Sequence, residues 1–211
     1  MDSAKTGVTP QSIADTAVRF GLNPTNIPVV STTTLGVGQA NTTEMAAAYA
    51  VFASGGIYRE PCPIVQIIDH NGEILVDNSQ GSEGVRVITD SVAYAVTQVL
   101  EGVLYKSIGT ANAAILSNGQ IAAGKTGTTD QWYDLWFVGY TPQLSCAVWT
   151  GDRNNQDNLY TAPWAQQVWK YVMERALEDY PIQDFAYAAP PSYHSSYTGS
   201  AKDEDEDEDG K

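Results

Sequence analysis

The sequence lacks the features that would mark a membrane or exported protein. No stretch of about 18 consecutive apolar residues, the length needed to cross a bilayer, occurs in its 211 residues. The N-terminal segment has no apolar region of the kind found in signal peptides. We therefore expect the chain itself to be soluble and to carry no export signal. If the chain is a fragment, this absence says nothing about where its parent protein lies.

Basic residues are scarce, with 11 Lys and Arg against 25 Asp and Glu, and the net charge is −14. They form no cluster, which argues against a nucleic-acid partner. Seven of the acidic residues form the run DEDEDED at 203–209. A block of like charge repels itself and buries no apolar surface. We therefore predict a folded domain over residues 1–178 and a disordered acidic tail over residues 179–211.

Cysteine and histidine are also rare, which limits metal and disulfide chemistry. The two cysteines, Cys62 and Cys146, and the two histidines, His70 and His194, show no metal-ligand spacing. We predict no metal and no cofactor. The cysteines are interpreted as two buried free thiols, and a single disulfide is the alternative that an exporting organism would permit.

Four amphipathic helices are predicted from capping residues and apolar periodicity. The first begins with Thr9 as cap and proline at the first helical position, and the second with Asn41 as cap and Glu44 three residues later. We place the helices at about 9–21, 41–56, 89–103 and 161–177. The predicted buried face of the third helix consists of Val92, Val96, Val99, Leu100 and Val103.

Strands are predicted between and after these helices. Residues 62–77, CPIVQIIDHNGEILVD, indicate a hairpin around an Asn-Gly turn. Residues 120–129, QIAAGKTGTT, are compatible with an edge strand, and residues 133–140 and 144–151 with two antiparallel strands joined by a tight turn. The order of elements predicts an α+β fold in which helices flank an antiparallel β-sheet.

The predicted edge strand contains the sequence GKTGTT, which offers a binding surface. Gly124 and Gly127 let a ligand approach the backbone closely. Thr126 and Thr128 would present two hydroxyls on one face beside the positive charge of Lys125. Together they form a plausible receptor for a carboxylate, and the unpaired N–H groups of an edge strand can bind an extended peptide or form an oxyanion hole. The alternative is a glycine-rich edge strand with no ligand.

A Lys-Thr-Gly triplet is weak on its own, and a second one, at residues 5–7, precedes a helix cap and is interpreted as a coincidence. The context of Lys125 is more specific. The segment AGKTGTTDQWYDLWFVGYTPQLSCAVWTG resembles the third active-site strand and following hairpin of penicillin-binding protein transpeptidases, especially the bifunctional class A members. Residues 32–67, TTTLGVGQANTTEMAAAYAVFASGGIYREPCPIVQI, resemble another block of that family, although Thr42-Thr43-Glu44 departs modestly from its usual run. The resemblance covers roughly residues 8–178.

Two motifs of that family are absent from this chain. A Ser-x-x-Lys motif supplies the acylated serine and a Ser-x-Asn motif supplies proton-shuttling groups. No serine of this sequence is followed by lysine three places on or by asparagine two places on. The resemblance therefore implies the C-terminal part of a transpeptidase domain with a partial serine β-lactamase-like fold. The chain alone is expected to be inactive, because its nucleophile lies in the missing N-terminal half.

The resemblance also implies roles for the strand. Lys125 would act in electrostatics and proton transfer. Thr126 and Thr128 would bind the carboxylate of a D-Ala-D-Ala stem peptide or of a β-lactam, with Gly127 between them, and the Thr128 N–H would form half of the oxyanion hole. Thr129 would shape the rim, and so would Asp130. The parent protein would then be a serine-type peptidoglycan D,D-transpeptidase at the extracytoplasmic face of the cell membrane.

Two alternatives stay open at this point. The chain could be half of a D,D-carboxypeptidase or of a β-lactamase-like serine hydrolase, which share the Lys-Thr-Gly strand. It could also be a non-catalytic remnant that binds peptide or protein, because the serine is missing. In the aromatic group at 132–137, core packing is the main interpretation, and Trp132 is the one member that could line a cleft.

Overall fold

The structure, a computed structural model, describes residues 7–152, 154, 159 and 162–192. This part of the chain contains four α-helices and seven β-strands. The helices are α1 (Pro10–Arg19), α2 (Thr42–Ala53), α3 (Asp90–Tyr105) and α4 (Trp164–Ala176). The strands are β1 (Ile57–Tyr58), β2 (Gln66–Ile68), β3 (Ile74–Asp77), β4 (Val85–Arg86), β5 (Ala123–Thr128), β6 (Asp134–Tyr140) and β7 (Ser145–Gly151).

The predicted helix starts follow from their capping residues. The hydroxyl of Thr9 accepts a hydrogen bond from the N–H of Ser12 at 3.1 Å. At the start of α2, Asn41 and Glu44 exchange hydrogen bonds of 2.9 and 3.0 Å between side chain and backbone. Such reciprocal bonds satisfy N–H groups that the first turn leaves free, which confirms these two starts. The fourth helix begins at Trp164, later than predicted, because Ala162 and Pro163 before it are not helical.

The main sheet has three antiparallel strands in the order β5-β6-β7. Thr126 of β5 lies opposite Phe137 of β6, which lies opposite Val148 of β7. The sheet confirms the predicted hairpin and places the Lys-Thr-Gly strand at an edge, as expected. Because helices flank it, the predicted α+β class is confirmed.

One face of this sheet packs against α4. Trp169 is fully buried, and its ring lies 5.1 Å from that of Phe137 at an interplanar angle of 82°. Its indole N–H donates to the carbonyls of Gly139 and Cys146, at 3.2 and 3.1 Å. A Cβ at position 139 would lie 2.9 Å from the Trp169 ring, so glycine is required for this close approach. The main hydrophobic core therefore lies between α4 and the sheet.

The opposite face packs against α2 and α3 around Tyr140. The Tyr140 ring lies 6.2 Å from the rings of both Tyr49 and Phe52 of α2. Its hydroxyl shares a 2.8 Å hydrogen bond with the hydroxyl of Thr97 in α3, and both residues are buried. Burial also raises the pKa of the Tyr140 phenol, which keeps this group neutral. The pair ties α3 to the sheet.

A double-mutant cycle tests the Thr97–Tyr140 bond. We expect Thr97→Val and Tyr140→Phe each to lower the free energy of unfolding by about 1–2 kcal/mol. The first removes the partner of the buried Tyr140 hydroxyl, and the second leaves the Thr97 hydroxyl bonded only to the carbonyl of Ala93. In urea unfolding, the double variant should lose less free energy of unfolding than the sum of the losses in the two single variants. Strict additivity would show that the hydrogen bond contributes nothing to stability.

The predicted buried face of α3 is confirmed only in part: Val96, Leu100 and Val103 are partly buried, and Val103 packs against the main core. The buried residues are Ala93, Thr97 and Leu104, whereas Val99 is 71% exposed and Val92 36% exposed. The helix carries apolar residues on more than one side, so periodicity alone does not say which side meets the sheet. Of its valines, Val92 and Val99 lie outward.

The apolar periodicity of α4 also predicts Ala165, Val168, Trp169, Val172 and Met173 as its buried face. Ala165, Trp169 and Met173 are buried, whereas Val168 and Val172 are exposed.

The hairpin of β2 and β3 confirms the prediction over residues 62–77. Gln66 lies opposite Asp77, and the N–H of Asp69 donates to the carbonyl of Glu73 at the turn. Every residue of both strands is exposed. The pairing of β1 with β4 was not predicted, because two-residue strands leave no periodic pattern.

Both cysteines are free thiols in the described part of the chain. Cys146 is partly buried, which raises the pKa of its thiol. Cys62 is exposed, so the prediction of a buried thiol is wrong there. Cys62 lies in the connection that leads into the exposed hairpin, and the hairpin leaves its side chain exposed. No helix in the described ranges is long and apolar enough to cross a membrane.

The chain after α4 differs from the expected disordered tail in its first part. Residues 179–192 form neither helix nor strand, yet they are described and lie against the body. The N–H of Gln183 donates to the side chain of Gln120 at 3.0 Å, and the side chain of Gln143 donates to the carbonyl of Pro181 at 2.9 Å. We call residues 179–192 the strap. Residues 193–211, which include the acidic run, lie outside the described residues.

Candidate functional site

The backbone of β5 presents hydrogen-bonding groups at the free edge of the sheet. The N–H of Thr129 donates to the carbonyl of Asp134 at 3.1 Å, and Thr128 lies opposite Leu135. In an antiparallel pair, hydrogen-bonded and non-hydrogen-bonded positions alternate. The backbone N–H and C=O of Thr126 and Thr128 therefore point away from β6, toward the free edge.

Lys125 and Thr126 lie together at this edge. The ammonium of Lys125 donates to the carbonyl of Thr126 at 2.9 Å and to its hydroxyl at 3.3 Å. The side chain of Lys125 is exposed, and that of Thr126 is partly buried. A positive charge and a hydroxyl thus converge on the strand edge, a combination that binds carboxylates.

Thr110 belongs to the same group, although the sequence analysis did not identify it. Its hydroxyl lies 3.0 Å from the hydroxyl of Thr126, and its carbonyl accepts a 3.1 Å hydrogen bond from the side chain of Gln166. Thr110 follows α3 in a loop with no repeating pattern, and no local signal marks it. Only the packing of α3 against β5 brings it to the strand.

The remaining predicted residues have different surroundings. Gly127 lies opposite Trp136, and a Cβ on this glycine would lie 3.1 Å from the Cβ of Trp136. Thr128 is exposed at the end of β5. The hydroxyl of Thr129 accepts from the N–H of Asp134 at 3.0 Å, so it closes the turn before β6.

Trp132 lies in that same turn with φ of 57°, and its N–H donates to the carbonyl of Thr129 at 2.9 Å. It does not line the cavity beside Lys125. The other members of the aromatic group lie nearer the sheet: Phe137 is fully buried, and Tyr133 and Trp136 are partly buried. Packing therefore accounts for most of the group. The second Lys-Thr-Gly triplet begins at residues outside the described ones.

An open cavity of about 740 Å³ lies between β5 and the outer face of α3. Lys125 stands at one side, and Lys106 and Thr110 line it after the end of α3. The exposed Val99 contributes to its apolar wall. We call this space the α3 cavity. It is lined by Tyr94, Ala95, Gln98, Val99, Gly102, Val103, Lys106, Ile108, Gly109, Thr110, Lys125 and Pro190.

The charge at the α3 cavity is positive. Two ammonium groups, those of Lys106 and Lys125, line it, and no carboxylate does. This contrasts with the chain as a whole, which carries a net charge of −14. The residues present suit an anionic ligand rather than a cation. In the described part of the chain, no three His, Cys, Asp or Glu residues are grouped so that they could hold a metal ion.

Comparisons with known proteins identify the family of the chain. The profile of the penicillin binding protein transpeptidase domain matches residues 5–174. Penicillin-binding protein 1A of Clostridium acetobutylicum is 33% identical over 171 residues, which cover 80% of this chain and 21% of that protein. Penicillin-binding protein 1A of Mycobacterium tuberculosis is 33% identical over 197 residues, covering 80% of this chain and 23% of that protein.

A solved structure of the penicillin-binding protein PonA1 from Mycobacterium tuberculosis superimposes with a TM-score of 0.75 at 30% identity, covering 87% of this chain and 56% of that one. The same protein in complex with penicillin V gives a TM-score of 0.74. The chain thus spans about a fifth of these curated relatives and about half of the solved chain. With a match over residues 5–174, the chain belongs to the penicillin-binding protein transpeptidase domain family.

Proposed function

We propose that the chain is part of a peptidoglycan D,D-transpeptidase and forms the Lys-Thr-Gly wall of its active site. The main support for this proposal is the free edge of β5. There the outward N–H of Thr128 stands beside the ammonium of Lys125 and the hydroxyl of Thr126. An extended stem peptide ending in D-Ala-D-Ala would bind along this edge by backbone hydrogen bonds. Its terminal carboxylate would bind the ammonium and the hydroxyls.

Each group has a task in acyl transfer. The hydroxyls of Thr126 and Thr128 donate to the carboxylate, and Lys125 contributes its charge and assists proton transfer. Gly127 leaves room for the substrate backbone, and Thr129 holds the turn that ends the strand. The N–H of Thr128 stabilises the oxyanion that forms when the carbonyl is attacked. A β-lactam has the same carbonyl and carboxylate, and the PonA1 complex with penicillin V supports this assignment.

The nucleophile comes from outside this chain. None of its serines stands in a Ser-x-x-Lys or Ser-x-Asn context. The acyl-enzyme would therefore form on a serine in a part of the parent protein that this chain does not contain. In the parent protein the site would lie at the extracytoplasmic face of the membrane.

Labelling with a fluorescent penicillin tests this proposal. The chain alone is expected to show no covalent label, because it lacks the serine. A polypeptide that carries Ser-x-x-Lys and Ser-x-Asn but no Lys-Thr-Gly strand of its own should be labelled only when this chain is added, and the label should remain on that polypeptide. A label on this chain itself would contradict the assignment of the nucleophile to another part of the parent protein. Absence of label in the mixture would contradict the assignment of this chain as the Lys-Thr-Gly wall of the active site.

The product distinguishes transpeptidation from the related hydrolytic reactions. With a D-Ala-D-Ala peptide and an acceptor amine, the complete protein should release D-Ala and form the cross-linked peptide. A D,D-carboxypeptidase would release D-Ala with no cross-link, and a β-lactamase would hydrolyse penicillin repeatedly. The missing serine also favours a second candidate, a non-catalytic module. That module would bind the peptide reversibly and give no acylation in any mixture.

A further inference from the structure

The strap carries the chain from the end of α4 to the α3 cavity. The side chain of Gln120 donates to the carbonyl of Gln183 at 2.7 Å and accepts from its N–H at 3.0 Å. The side chain of Gln143 holds the carbonyl of Pro181 at 2.9 Å. Gln120 is 3% exposed, so a buried polar side chain makes its bonds to Gln183 and fixes the strap at the end of the sheet where β5 begins.

Aromatic contacts guide the second half of the strap. The ring of Phe185 lies 5.4 Å from that of Tyr140, and the ring of Tyr187 lies 5.4 Å from that of Tyr94 in α3. Tyr94 lines the α3 cavity, and so does Pro190 of the strap. The last described residues of the strap therefore lie at the rim of the α3 cavity, which Lys125 also lines.

The sequence beyond this point complements the charge of the cavity. The run DEDEDED begins at Asp203, about 13 residues after Pro190, and an extended chain of that length spans roughly 45 Å. A flexible chain has a root-mean-square span of about 20 Å. Both values suffice for the acidic run to enter a cavity whose rim is formed by Pro190. Two ammonium groups and no carboxylate line that cavity.

We propose that the acidic run at 203–209 binds in the α3 cavity of its own chain, with its carboxylates on Lys106 and Lys125. A tether of this length gives an effective concentration in the millimolar range, so an ionic contact with a dissociation constant of about 1 mM or below is populated. The bound run would compete for Lys125 with a substrate carboxylate. That consequence rests on the proposed function, whereas the intramolecular contact does not.

Amide NMR spectra of the full chain test the contact directly. The wild type is compared with a full-length variant in which residues 203–209 are replaced by Asn and Gln at matching positions. We expect chemical-shift differences confined to the cavity, at residues 106, 108–110 and 125–128. Raising the salt concentration to about 0.5 M should bring the wild-type shifts onto those of the neutral variant, because salt screens such contacts.

Lysine substitutions complete the test. Lys106→Gln with Lys125→Gln should abolish the difference between acidic and neutral tails, and Lys170→Gln on α4 should preserve it. Identical spectra of acidic and neutral tails, or differences that survive the double substitution, would overturn the proposal. Differences that grow with protein concentration would assign the cavity to the tail of a second copy and would overturn it as well. None of these measurements depends on acylation, so penicillin labelling judges the proposed function separately.

Discussion

Replacing Trp169 by alanine is expected to lower the free energy of unfolding by about 3–5 kcal/mol, as for other buried large-to-small substitutions. The indole is fully buried between α4 and the sheet, packs on Phe137, and donates to two carbonyls. Its removal leaves a cavity in the main core and takes the donor from the carbonyls of Gly139 and Cys146. Urea unfolding followed by circular dichroism measures the loss.

A matched control for this substitution lies on the same helix. Tyr171 is 70% exposed, and Tyr171→Ala should change the free energy of unfolding by no more than about 0.5 kcal/mol. Trp169→Phe should fall between the two, because it keeps an aromatic ring and loses the N–H. If Trp169→Ala lowered the free energy of unfolding as little as Tyr171→Ala, the packing of α4 on the sheet would not be the main source of stability.

In the complete protein with its serine, Lys125→Ala is expected to slow acylation by penicillin about 100-fold or more, the size of effect seen when one group that stabilises the transition state is removed. Lys125 donates to the carbonyl and hydroxyl of Thr126 beside the outward N–H of Thr128. Without the ammonium, the carboxylate of the ligand loses its charged partner at this edge. Stopped-flow measurement with a fluorescent penicillin gives the rate.

Two comparisons separate this loss from a general defect. Lys125 is exposed, so its removal should leave the urea midpoint nearly unchanged. Lys170, which lies 3.8 Å from Glu174 on α4, serves as the control lysine, and Lys170→Ala should acylate at the wild-type rate. An unaltered rate for Lys125→Ala would remove this lysine from the site and leave the Thr128 N–H as the main contribution of the strand.

Local patterns predicted the elements that local forces determine. The helix starts at Thr9 and Asn41 follow from side chains that bind nearby N–H groups. The hairpins follow from turn residues between strands, and the position of the Lys-Thr-Gly strand followed from resemblance over a long segment. These interactions join residues a few positions apart, so they can be read along the chain.

Other features depend on partners that are distant in sequence. The prediction for the buried side of α3 was wrong at Val92 and Val99, because the helix has two apolar sides and the contact of Thr97 with Tyr140 decides between them. Thr110 reaches Thr126 only when α3 packs on β5. The strap was predicted to be disordered, yet Gln120 holds Gln183 across a long separation. No periodicity or capping rule reports such contacts.

By itself, the sequence determined the family, the α+β class and the identity of the residues on the Lys-Thr-Gly strand. It also determined that no serine in the chain has the required context. Only the tertiary structure decided that the Thr128 N–H faces a free edge, that Thr110 joins Thr126, and that the strap ends at a cavity lined by Lys106 and Lys125. The reason is physical: residue type and spacing specify local conformation, whereas the meeting of distant groups depends on how helices and strands bury their faces together.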